Sequence, residues 1–148
     1  MRKIDYIFID SDCPNFNSKS GRRAVSLFRH HFTVTKEALV LNPINISSSA
    51  NIIQGPIFNR DKYNKCAISI HYCGSLRPEV WLIDHEANAS KVALQRTALL
   101  QLLVALRKRF PDAKILGVSE LDGKELHAKN IIVSDTMNVL RRELSNLP

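Results

Sequence analysis

RKIDYIFIDSDCP, Arg2 to Pro14, is the stretch on which the fold turns. From Ile4 to Ile9 every residue except Asp5 is apolar. A run of that length, closed by Asp10, Ser11 and Asp12, predicts a strand covered on both faces and therefore central in a sheet. It is too short, and too soon ended by acids, for a signal peptide. Nowhere does the chain approach the roughly 20 consecutive apolar residues that a membrane-spanning helix needs. A cytoplasmic protein with no membrane partner is the expectation.

Outward from that strand, Ser11 to Ser20 is rich in Asp, Asn, Ser and Pro and is expected as loop. Lys19 to His30 is compatible with a short helix capped by Ser18 or Ser20. Phe32 to Leu41 is rich in β-branched residues and predicts one strand, or two joined by a turn near Lys36 and Glu37. Asn45 to Lys62 is polar and irregular, the pattern of a long loop. Cys66 to Cys73 alternates, with Ile68, Ile70 and Tyr72 on one face and Ala67, Ser69, His71 and Cys73 on the other. Val80 to Ile83 suits a short strand or a turn.

The clearest helix is Lys91 to Phe110, where Val92, Leu99, Leu102, Leu103, Leu106 and Phe110 share a stripe, Ser90 is placed to cap and Pro111 to stop. Lys114 to Val118 returns as a buried strand. Asp135 to Leu144 suits a final amphipathic helix with Val139 and Leu140 inward. Strands alternating with helices define an α/β fold, a central mixed sheet flanked by helices. With 148 residues, 45% of them apolar, residues 1–148 are expected to form a single domain.

Three cysteines, Cys13, Cys66 and Cys73, make neither an even set nor a C-x-x-C pair, so reduced thiols are expected rather than a disulfide framework. The net charge of +7 attracts anionic polymers without choosing among them. Arg22-Arg23, Arg107-Lys108-Arg109 and Arg141-Arg142 each lie beside an apolar stripe, which solvated helix faces explain as well as a groove does. No aromatic residues are interleaved with arginines in a stacking pattern, so a nucleic-acid or anionic-polymer module rests on charge alone. No glycines cluster into a phosphate loop.

Four segments occur in the order, and at about the spacing, of one enzyme family: RKIDYIFIDSDCP, RHHFTV (Arg29 to Val34), YNKCAISIHYCGS (Tyr63 to Ser75) and RFPDAKILGVSE (Arg109 to Glu120). Over most of residues 2 to 120 the chain resembles the zinc-dependent N-acetylmuramoyl-L-alanine amidases of the bacteriophage-lysozyme type, which share the peptidoglycan recognition protein fold. Those enzymes cut the amide between muramic acid and the first alanine of peptidoglycan with a metal-bound water. The resemblance implies an amidase-like domain of bacterial or phage origin. It also implies ligand positions that read Asp10, Val118 and Ile131 where the family has His, His and Cys. His30 stands at the position of the assisting tyrosine and Lys129 at that of the assisting lysine.

Zinc activates water when three protein ligands leave a fourth position open. Asp10 can ligate; Val118 and Ile131 have no donor atom, and no cysteine follows Cys73 anywhere in the chain. Four of the five chemical positions therefore differ from the family. The expectation is a pseudoenzyme without zinc or another cofactor, whose cleft binds muropeptide or peptidoglycan fragments through His30, His71 and Lys129. The alternatives are an active peptidoglycan amidase with a rearranged metal site and the charge-driven module.

Asp10, Asp12, Cys13, His30, His31 and His71 are all chemically able to build such a rearranged site, which requires three of them within bonding distance of one ion. Ordinary polar packing asks for less, and is the expectation for His30 and His31 at a junction and His71 on a semi-polar strand face. His85 and His127, in acid-rich loops, are expected in solvent. A Cys13–histidine nucleophile is possible in principle, with no spacing to recommend it. For Asp10 and Asp12, Pro14 and Asn15 suggest turn chemistry rather than a carboxylate pair.

Overall fold

The computed structural model describes residues 2–11, 30–49, 60–73, 89–117 and 137–147. Strands β1 (Tyr6–Ser11), β2 (Phe32–Val34), β3 (Val40–Leu41), β4 (Ala67–Tyr72) and β5 (Lys114–Gly117) form one sheet in the order β3-β2-β4-β1-β5. Helix α1 spans Arg60–Lys65, α2 spans Ala89–Arg109, and residues 137–145 form α3. β1 runs parallel to β4 and β5, and β2 runs parallel to β4; only β3 is antiparallel, to β2. The sheet is mixed and helix-flanked, an α/β fold.

Register assigns each side chain to a face. Ile7, Ile9, Ile68, Ile70, Tyr72 and Val34 lie on one face and are buried, in a single cluster with Leu99, Leu103 and Leu106 of α2 and Met137, Leu140 and Leu144 of α3. Burying each of these large aliphatic side chains contributes about 1.5–3 kcal/mol. Gln95, within α2, donates through Nε2 to the Cys73 carbonyl at 3.0 Å, which fixes the helix against the C-terminal end of β4. Arg141 donates from Nε and Nη2 to the Ile115 carbonyl at 3.2 and 3.1 Å, joining α3 to β5.

Several sequence expectations hold. β1 is flanked on both sides, as its apolar run requires. β2 and β3 are two strands joined by a turn at Lys36 and Glu37, with Ala38 in the left-handed region at φ 65°. Leu99, Leu103 and Leu106 are buried, with Leu102 and Phe110 packed at the margin.

Other elements differ. Arg60–Lys65 is helical where loop is expected to Lys62: five polar residues around one tyrosine carry no apolar period, and Tyr63 is fixed instead by ring contacts with Tyr6 and Phe8. Helix α2 begins at Ala89, so Ser90 lies inside it rather than capping it. β1 continues through Ser11, two residues past Ile9. β5 is less buried than expected, with Lys114 exposed and Ile115 and Leu116 half-buried, because it pairs with one described neighbour only. In α3, Met137 and Leu144 are buried beside Leu140, while Val139 is only partly covered. The expected helix from Lys19 and the segment Val80 to Ile83 lie outside the described residues, except His30, which is not helical.

Candidate functional site

The opposite face of the sheet is chemically different. Tyr6, Phe8 and Asp10 of β1 stand in register with Ala67, Ser69 and His71 of β4, and Thr33 of β2 is opposite His71. At the N-terminal end of this face the rings of Tyr6 and Phe8 stack at 5.4 Å, with Tyr63 edge-on to both. At the C-terminal end the side chains are polar and still largely buried: His30 is 2% exposed, His71 5% and Ser69 0%. A polar group left unpaired at that depth costs about 1–3 kcal/mol, so the partners of each one matter.

His30 and His31 precede β2 and are buried by different partners. Ser69 N–H donates to His31 Nδ1 at 3.0 Å, so an imidazole supplies the bond that a strand neighbour would give just before β2 begins. With Nδ1 accepting, the proton of neutral His31 sits on Nε2, which donates to the Ser48 carbonyl at 2.6 Å. Arg2 Nη2 also approaches Nε2, at 3.1 Å, but that nitrogen cannot accept while it donates to Ser48. The approach is a contact, and Arg2 finds its acceptors elsewhere: the carbonyls of Ile46 (3.0 Å), Lys65 (2.7 Å) and Ala67 (2.6 Å). Burial pushes the His31 pKa down; the Ser48 hydrogen bond opposes that and the Arg2 charge adds to it. His31 is a neutral structural histidine, as ordinary packing anticipates.

His30 faces the other way. Its Nδ1 bonds the Ser69 hydroxyl, and its Nε2 lies 3.8 Å from Asp10 Oδ2. The His30 and His71 rings are 5.2 Å apart, centroid to centroid, tilted by 31°. One ligand atom each from Asp10, His30 and His71 all lie within 4.8 Å of one another. Both imidazoles are buried, while the Asp10 side chain is 45% exposed, so the group is walled on the protein side and open on one.

The structure thus brings together three of the sequence-derived positions, Asp10, His30 and His71. Val118, Lys129, Ile131, Asp12, Cys13, His85 and His127 lie outside the described residues. The register sets Gly117 opposite Ile9, the residues immediately before Val118 and Asp10. The family's zinc set, carried onto this chain, does not fit the residues present: of Asp10, Val118 and Ile131 only the first has a donor atom. Ser69 and Arg2 are neighbours of His30 and His31 that the sequence motifs do not mark. Alternation already placed Ser69 on the face of His71; nothing local in the sequence marks Arg2 as the link between Ile46 and the start of β4.

The fold of the chain, as distinct from its site residues, belongs to a known class. Two solved structures share it: the N-acetylmuramoyl-L-alanine amidase LysC from Clostridium intestinale URNW, with a TM-score of 0.54 and 12% identity, covering 88% of this chain and 87% of that one; and the endolysine N-acetylmuramoyl-L-alanine amidase LysCS from the same organism, with a TM-score of 0.53 and 13% identity, covering 88% and 86%. At such identity the likeness defines an amidase-like fold. No protein-family model matches the sequence, and no curated protein sequence matches it significantly. No helix among the described residues is long and apolar enough to cross a membrane.

Proposed function

We propose that this chain is a degenerate peptidoglycan amidase-like domain that binds muropeptide at the C-terminal end of β1 and β4 and has lost the family's zinc-dependent hydrolysis. The observation that carries the reading is the pairing of an amidase-like fold with ligand positions that cannot rebuild the family's centre. Val118 and Ile131 offer no lone pair, and no thiolate follows Cys73. Amide hydrolysis near neutral pH needs an activated water, and the family's own ligand positions, two of them apolar here, do not provide one. The partly exposed Asp10 beside His30 and His71 supplies hydrogen-bonding groups for the amides and carboxylates of a wall fragment; Lys129, outside the described residues, is the further group that the family resemblance implies.

A titration with purified muropeptide, followed by NMR, tests this. Shifts confined to Asp10, His30, His71 and Lys129, with no stem peptide released from peptidoglycan, are expected. Binding only to heparin or DNA, with affinity falling steeply as salt rises, would replace the reading with a charge-driven module. A second reading is favoured by the convergence of Asp10, His30 and His71: an active amidase with a rearranged metal site. Stem-peptide release that EDTA abolishes would establish it.

A further inference from the structure

We propose that Asp10, His30 and His71 form a binding site for one divalent transition-metal ion of the zinc type, sharing Asp10 with the centre that the family resemblance implies but taking its other two ligands, His30 and His71, from different positions. Two imidazoles and one carboxylate are a donor set that zinc accepts, with bonds of about 2.0–2.2 Å and a further position left to water or ligand. Bonds of that length put ligand atoms about 3.3–3.6 Å apart in a tetrahedron. His30 Nε2 and Asp10 Oδ2, at 3.8 Å, need to close by a few tenths of an ångström, and the other donor pairs, within 4.8 Å, by at most about 1.2–1.5 Å.

The surroundings favour the same chemistry. A metal-binding imidazole is normally oriented through its other nitrogen. Here the Ser69 hydroxyl engages His30 Nδ1, and with the proton on Nδ1 the Nε2 lone pair is directed to the side of Asp10. His71 and Asp10 sit on adjacent, register-paired strands, so their spacing is fixed by the sheet rather than by a loop. Both histidines are buried, which lowers the entropy lost on binding, and Asp10 leaves one side open. A histidine-rich set with a single carboxylate selects zinc, cobalt or nickel over magnesium or calcium, which prefer all-oxygen shells. The alternative for the same geometry is a His30–Asp10 ion pair with His71 stacked beside it and no ion.

The metal site uses the same three side chains as the muropeptide site proposed above, and its test uses metal alone, so that its failure leaves muropeptide binding to be judged by its own titration. The full chain, stripped with EDTA and dialysed, is titrated with ZnCl₂ by calorimetry and with CoCl₂ by visible absorption, while long-range ¹H–¹⁵N spectra follow the histidine rings. One equivalent of zinc is expected to shift the ring nitrogens of His30 and His71 and to leave His31 unmoved. Cobalt is expected to give ligand-field bands that zinc displaces. Asp10→Asn, at a half-exposed side chain, should weaken zinc at least tenfold, and His71→Asn more. Cys66→Ser, at the other end of β4, should change nothing. Magnesium should not compete. The proposal is overturned if wild-type rings are unmoved by one equivalent of zinc, if Asp10→Asn binds as tightly as wild type, or if the shifted rings are those of His85 and His127. The wild-type spectra decide the matter even if a histidine variant does not fold.

Discussion

The two faces of the β1–β4 pair are built from alternate residues of the same six-residue strands, yet they are held by different physics. One face, Ile7, Ile9, Ile68, Ile70 and Tyr72, meets α2 and α3 across an apolar cluster in which any shape-compatible side chain suffices. The other carries Asp10, Ser69 and His71, each placed against a named polar partner or neighbour. A folding core tolerates exchange of like for like; a buried polar network requires particular atoms at particular places. The apolar core and the candidate site therefore lie on opposite sides of one sheet, where each can be perturbed without touching the other.

The strongest way to break that separation is through the core. Leu103→Ala, at a fully buried position of α2, should cost about 2–5 kcal/mol in urea denaturation. Metal or muropeptide affinity of the folded fraction should be unchanged. A site that weakened in proportion would show the two faces to be coupled.

On the polar face, Arg2→Met removes donors to three carbonyls, those of Ile46, Lys65 and Ala67, while keeping much of the aliphatic stem. A loss of about 1–3 kcal/mol is expected, from bonds to a charged donor and carbonyls left unsatisfied. Faster amide exchange between Ser47 and Ser49 should accompany it. A neutral outcome would mean that this segment is held by other contacts.

The faces should also differ in pH response. Buried Tyr72, on the core face, has its pKa raised, first by desolvation, so the folded chain holds its proton more tightly than the unfolded one. Its contribution is whole below the ordinary tyrosine value near 10 and declines above it as the unfolded state deprotonates. His31, on the polar side, has its pKa lowered, so the unfolded chain binds the proton more readily. Its contribution is whole above the ordinary histidine value near 6.5 and declines as pH falls towards the folded value. Denaturation midpoints in EDTA should therefore fall at the alkaline end in wild type more than in Tyr72→Phe, and at the acid end more than in His31→Gln. Equal slopes in each pair would contradict the assignment.

The smallest effect tests a position that belongs to neither face. Ala38 has a positive φ in the turn between β2 and β3, where a Cβ is unfavourable by about 1 kcal/mol. Ala38→Gly should raise stability by a few tenths to about 1 kcal/mol despite glycine's larger unfolded-state entropy. Thermal denaturation is sufficient to read it.

Legibility in the sequence followed the same division. The core face declares itself locally: the apolar run before Asp10, the alternation from Cys66 to Cys73 and the stripe through Leu99, Leu103 and Leu106 are each visible within one segment. Helix α1 is not legible in the sequence, because Arg60–Lys65 has no apolar period and its Tyr63 is fixed by aromatic contacts distant in sequence. Of the site, alternation paired Ser69 with His71, and all three metal-capable residues were named as candidates. Their convergence was not legible, since His30 lies twenty residues from Asp10 and forty-one from His71, and only the β2-β4-β1 strand order closes those gaps.

The most direct test of the central claim, that the polar face holds a ligand site built from Asp10, His30 and His71, is an anomalous difference map from crystals of the full chain soaked in zinc. The account predicts one strong peak, about 2.0–2.2 Å from one donor atom of each of these three residues. A map with no peak beside Asp10, or with its only ordered zinc bound through other side chains, would contradict it.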